Sequence, residues 1–169
     1  MGFKKQKQYR LRGYDYSQNG AYFITIVTKK RVPFFGYIEN KQMHLSPIGE
    51  FVNRNFLMIQ EKIKYLTITE FTIMPDHLHM IILIDKKCSD VFQSEVTSIF
   101  CETTSLFPLI KESISSFANH LKGTIKKWCN KNKYSQFEWQ EKFHDHIIRN
   151  EREYRKIVEY IRNNVKNWP

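Results

Sequence analysis

Cysteine is scarce in this chain, and what there is does not pair. Cys88, Cys101 and Cys129 are odd in number and widely spaced. That excludes a disulfide framework, lacks the paired spacing of a zinc site and suits a reducing cytoplasm. Long apolar runs are missing too. None reaches the roughly 18 residues that span a bilayer, so no membrane segment is expected. No apolar signal-peptide core follows the N-terminus. Acid is short against base: 17 Asp and Glu face 27 Lys and Arg, for a net charge of +10. On a chain this small, that excess predicts an anionic partner, either nucleic acid or an acidic membrane surface.

What remains is a composition that folds. Hydrophobic residues make up 41% of the 169 positions and aromatics 15%, enough for one domain with a real core. Met1 to Arg12, with five basic residues and no acid, reads as a basic arm. Residues 13–135 read as the core and 136–169 as a C-terminal extension. No internal repeat or low-complexity tract appears.

Ala21 to Thr28 is rich in β-branched and aromatic residues and predicts a strand. Tyr37 to Glu39 and Met43 to Leu45, around Asn40-Lys41, suggest a short hairpin. Ser46-Pro47 then reads as an N-cap and first helical residue. Ile48, Phe51, Val52, Phe56, Ile59 and Ile63 recur at helical spacing, predicting a helix over 47–63. Thr67 to Ile73 is a second β-run. Residues 85–107 have no clean period and read as a long loop. From Pro108, Ile110, Ile114, Phe117, Leu121, Ile125 and Trp128 form an apolar helical stripe. Glu151 to Trp168 predicts a final amphipathic helix, with Tyr154, Ile157, Val158, Ile161 and Val165 inward and Tyr160 also fitting a core position. Strands separated by helices suggest an α+β sandwich, one antiparallel sheet covered by helices.

The segment Met74-Pro75-Asp76-His77-Leu78-His79 matters most. In a strand, residues two apart share a face, so His77 and His79 stand side by side. They are either hydrogen-bonded histidines at a strand end or ligands of one metal ion. Lys122, Lys126, Lys127, Lys131 and Lys133 crowd the end of the Leu121 helix, and no acid lies between Leu121 and Phe137. They complement the helix dipole, and their number also points to phosphate. Arg10, Arg12, Lys122, Lys126, Lys127 and Arg149 are the candidates for phosphate contact. Trp128 and Trp139 are candidates for base stacking, with Trp128 also on the core stripe. The second His-x-His, His144 and His146, could supply a second cluster, but Asp145 between them favours a charged, hydrogen-bonded turn.

Several blocks together resemble the REP-associated tyrosine transposases, small single-tyrosine transposases with a His-hydrophobic-His motif. They are Arg12-Gly13-Tyr14-Asp15-Tyr16-Ser17, Gly20-Ala21-Tyr22-Phe23, and Met74 to His79, where the family has Met-Pro-Asn-His-hydrophobic-His. Trp139-Gln140, His146-Ile147-Ile148-Arg149-Asn150-Glu151, and Tyr160-Ile161 with Asn164 and Trp168 complete the set. The resemblance implies a ferredoxin-like antiparallel sheet with the two-His strand central, helices packed on it and an extra C-terminal helix. It implies cleavage and rejoining of single-stranded DNA at hairpin-bearing ends. Mg²⁺ or Mn²⁺ on His77 and His79 would polarise the scissile phosphate. A tyrosine would attack, leaving a 5′-phosphotyrosine and a free 3′-OH. Asn130 and His120 are candidates for a further ligand. Relatives occur as monomers and as dimers with shared active sites.

The chain departs from this pattern where the resemblance puts the nucleophile. Ile125 and Lys126 occupy that part of the helix, and no tyrosine lies between Tyr65 and Tyr134. A related branch has two adjacent tyrosines after Trp-Gln; here Phe143 and His144 stand there. Three readings follow. Tyr134, the nearest tyrosine, serves; or the metal activates water in a nuclease; or catalysis is lost and the chain is a DNA- or RNA-binding module.

Overall fold

The computed structural model describes residues 14–63, 65–86 and 113–168. The basic arm with Arg10 and Arg12, nearly all of the loop 85–107, and the helix positions before Ser113 lie outside them. Among the described residues, six strands and three α-helices follow in order, with one short 3-10 turn at Lys29–Arg31. They are β1 (Gly20–Val27), β2 (Gly36–Glu39), β3 (Gln42–Leu45), α1 (Pro47–Lys62), β4 (Leu66–Ile73), β5 (His77–Ile84), α2 (Ile114–Lys131), β6 (His144–Ile148) and α3 (Glu151–Asn163).

Local chemistry sets the ends of these elements. Ser46, Ser113 and Asn150 cap the three helices, each side chain accepting a backbone N–H three residues on. The β2–β3 hairpin turns through Asn40 and Lys41, both in the left-handed region at φ 50° and 60°. Pro75 falls between β4 and β5, where the chain needs no ladder donor from it.

Four strands form one antiparallel sheet in the order β4-β5-β1-β6, with β2–β3 a separate ribbon. With α1 joining β1 to β4 and α2 joining β5 to β6, this is the ferredoxin-like βαββαβ connectivity. β5, carrying both histidines, is interior, paired with β4 on one side and β1 on the other.

The alternation of β5 divides the molecule. Leu78, Met80, Ile82 and Ile84 turn to one face, where Val52 and Phe56 of α1 and Phe117, Leu121 and Ile125 of α2 meet them in the main core. His77, His79 and Ile81 turn to the other. There Ile81 and Ile148 pack with Ile161 of α3, flanked by Phe23, Tyr154, Ile157 and Val158. Each fully buried Leu or Ile contributes about 1.5–3 kcal/mol of apolar transfer. The stripes of α1 and of α2 from Ile114 to Ile125 therefore act where their periods predict; α3 ends at Asn163, short of the expected Trp168, and Val165 lies beyond it, outside both clusters. Cys129 is part of the main core; burial pushes its thiol up to about 11 against the opposing charge of Lys126. It packs as a small apolar group.

One expectation is corrected. His144 and His146 lie within β6 rather than in a turn. Segment 135–141 is tied down by two lysines assigned to phosphate. Lys122 Nζ donates to the carbonyls of Gln140 and Glu141 at 2.8 and 2.9 Å. Lys126 Nζ donates to those of Ser135 and Phe137. Trp139 returns a bond, its indole N–H donating to Lys122 O at 3.1 Å.

Candidate active site

His77 and His79 are 6% and 5% exposed, on the sheet face that α3 crosses. Their Nε2 atoms are 3.0 Å apart and their rings nearly perpendicular, at 77°. Each Nδ1 is held from behind. His77 Nδ1 is 2.5 Å from Asp76 Oδ1, and His79 Nδ1 is 2.8 Å from Thr25 Oγ1. Thr25 is there because β1 and β5 pair with Thr25 opposite His79. The turn before β5 is fixed in the same way. Asp76 O accepts from the N–H and hydroxyl of buried Thr28, both at 2.9 Å.

Tyr160 completes the group. Its hydroxyl is 3.2 Å from His79 Nε2, and the residue is 51% exposed. Phe23 stacks on the His79 ring at 5.2 Å, and Tyr160 meets Phe23 edge-on. Trp168, just beyond α3, lies 5.9 Å from the His77 ring.

Electrostatics favour a lone-pair donor at this spot. Burial, then the charges of His77 and Arg31, push the His79 pKa from 6.5 down to about 3, so its ring is neutral near pH 7. Burial alone would raise Asp76. The hydrogen bond and charge of His77, then those of Arg31, outweigh it and hold the carboxyl below its usual value.

The residues fit a divalent ion. Two nitrogen ligands at about 2.1 Å and right angles around one ion lie about 3.0 Å apart, which matches the Nε2 separation. Hydrogen bonds from the other ring nitrogens to a carboxylate and a hydroxyl are the support that metal-binding imidazoles use. Among the described residues no group of three or more His, Cys, Asp or Glu is arranged to hold a metal. Further positions would fall to substrate oxygens and water.

The structure sorts the remaining candidates. Asn130 and His120 are on α2, whose buried stripe joins the opposite face of the sheet. Ile125 is in that core, so a tyrosine there would not face the histidines. Tyr134 stacks on Trp128 at 5.8 Å against the same core and is not brought to His77 and His79. Trp128 is also stacked on Phe51 at 4.4 Å. Lys127 and Arg149 are exposed. The assignment of Tyr160 to the core is corrected. The signal was in the wheel: Tyr160 precedes Ile161 by one residue, about 100° off the apolar line. Asp76, Arg31, Thr25 and Phe23 were not singled out, because only strand register and the Thr28–Asp76 contact reveal their positions.

The fold is a ferredoxin-like four-stranded antiparallel sheet with a His-x-His strand in its interior. A REP-associated tyrosine transposase, solved bound to a REP hairpin, shares that fold: its TM-score is 0.60 at 19% identity, over 95% of this chain and 80% of that one. A candidate transposase from Deinococcus radiodurans covers 92% of this chain and 96% of its own at 15% identity, but a TM-score of 0.48 carries no argument. In sequence, the chain is 36% identical over 171 residues to an uncharacterized protein of Haemophilus influenzae, covering 99% of this chain and 92% of that one, and it belongs to the same family as that protein. No family model matches the chain.

Proposed function

We propose that the chain is a transposase-like, metal-dependent endonuclease and strand transferase that acts on single-stranded DNA with hairpin-bearing ends, and that Tyr160 is its nucleophile. One observation carries this reading: the Tyr160 hydroxyl sits 3.2 Å from His79 Nε2, which is itself 3.0 Å from His77 Nε2. A phenol is a weak nucleophile at its ordinary pKa near 10 and needs positioning. Here a helix packed on the sheet delivers it, and Phe23 braces the ring.

His77 and His79 would hold Mn²⁺ or Mg²⁺, and the ion would supply Lewis-acid polarisation of a phosphate oxygen. Tyr160 Oη would attack phosphorus, the bond to the 3′ oxygen would break, and the phenol proton would pass to that oxygen. The product is a 5′-phosphotyrosine, which keeps the phosphodiester energy. A returning 3′-OH reverses the step without a nucleotide cofactor. Exposed Lys127 and Arg149 remain as candidates for phosphate contact along the DNA.

The test is direct. Wild type and Tyr160→Phe are incubated with a single-stranded hairpin DNA and Mn²⁺, and products are run under denaturing conditions. Wild type should cleave and form a denaturant-resistant adduct. Tyr160→Phe should bind the DNA and do neither, while Tyr134→Phe should act like wild type. Cleavage without an adduct would point to water as the nucleophile. Binding alone by wild type would leave a DNA-binding module.

A further inference from the structure

Asp76 is buried, and its two carboxylate oxygens serve different partners. Oδ1 faces His77 Nδ1 at 2.5 Å, and Oδ2 accepts from Arg31 Nη1 at 3.1 Å. An ionised carboxylate can only accept, so the proton between Asp76 and His77 belongs to Nδ1. In the neutral form of the ring that N–H is the only one, and Nε2, 3.0 Å from His79 Nε2, keeps its lone pair.

Arg31 is brought to Asp76 by an unusual turn. Lys30 and Arg31 both lie in the left-handed region, at φ 55° and 54°. Such backbone persists in non-glycine residues where surrounding bonds hold it. Here Arg31 N–H donates to Thr28 O at 3.1 Å, and Lys29 N–H donates to Glu138 O at 2.8 Å. Thr28 in turn bonds Asp76 O through its N–H and its hydroxyl. The two turns that carry Arg31 and Asp76 are thus stapled together.

We propose that Asp76 is the positioning residue of this site. Through Oδ1 it fixes the tautomer and direction of His77, and through Oδ2 it tethers Arg31 beside the histidines. This rests on the proposed metal site only for the use made of Nε2. A sharp consequence concerns Asp76→Asn, which keeps the volume. Arg31 has only donors, so it claims the amide oxygen and turns the NH₂ toward His77 Nδ1. That donor forces the His77 proton to Nε2 and removes the lone pair.

Side-chain ¹⁵N spectra of histidine-labelled protein at pH 8 read the tautomers, with Mn²⁺ titration and thermal melts run on the same samples. Wild type should show His77 protonated at Nδ1. Asp76→Asn should show it protonated at Nε2, with Mn²⁺ affinity lower by about 10–100-fold. Adding Arg31→Met frees the amide to turn, and the proton should return to Nδ1. A wild-type His77 protonated at Nε2 overturns the proposal, and the wild-type spectrum decides this even if a variant fails to fold. So does an Asp76→Asn protein whose His77 matches wild type. A wild type with the expected tautomer that binds no Mn²⁺ supports the positioning role and sinks the metal reading instead.

Discussion

At the scale of single residues, His79 links the site to stability. Its pKa is pushed down to about 3 in the folded chain, from 6.5 in the ordinary state. Between those values the unfolded chain takes up a proton that the folded one refuses. Its contribution to folding is therefore complete above pH 6.5 and declines as pH falls toward 3. In EDTA, the urea-unfolding free energy should be lower at pH 5 than at pH 7.5, with His79 supplying about 2 kcal/mol of the difference. His79→Gln should lose that part of the slope. An equal slope in the variant would contradict the burial argument. The donor set also separates the two expected ions. Imidazole pairs favour transition-series ions, so calorimetry should find Mn²⁺ bound more tightly than Mg²⁺, and His77→Ala with His79→Ala should abolish both.

At the scale of elements, α2 and α3 exchange the roles that the motif pattern suggests. α2 is a core helix, and its Ile125 is buried in the same core as Leu78 and Met80, on the face away from the histidines. Ile125→Tyr should therefore overpack the core, cost about 1–3 kcal/mol in denaturant unfolding, and leave adduct formation no better. Lys122 and Lys126 likewise belong to the fold. Lys122→Met should lower the melting temperature, with the loss of two charge-assisted bonds to carbonyls, more than it weakens DNA binding. A normal melt with a large loss of DNA affinity would return Lys122 to the phosphate contacts. Most elements were legible in the sequence, because period 2 and period 3.6 each report one buried face. The hairpin, α1, β5 and the α2 stripe are where those periods put them. The pairing of His77 with His79 was legible for the same reason. For Tyr160 the wheel shows only that it lies off the apolar line; a stripe does not say which face of the sheet its helix crosses. Phe23, the companion of Tyr160, becomes a site residue only once β1 pairs with β5.

At the scale of the whole molecule, the net charge of +10 should make DNA binding strongly salt-dependent. The logarithm of the affinity should fall linearly with the logarithm of salt concentration, by about 0.7 per phosphate contacted on a single strand. A flat response would argue against a phosphate-tracking surface. The sheet itself is a divider. One face holds the core that α1 and α2 close, and the other holds His77 and His79 beside Tyr160 of α3. The central claim is that this second face does chemistry through Tyr160. It is tested most directly by protease digestion and mass spectrometry of the protein–DNA adduct formed with Mn²⁺. The peptide carrying the nucleotide should contain Tyr160, linked through its phenol oxygen. A nucleotide on the peptide carrying Tyr134, or cleaved DNA with no linked peptide, would contradict the account.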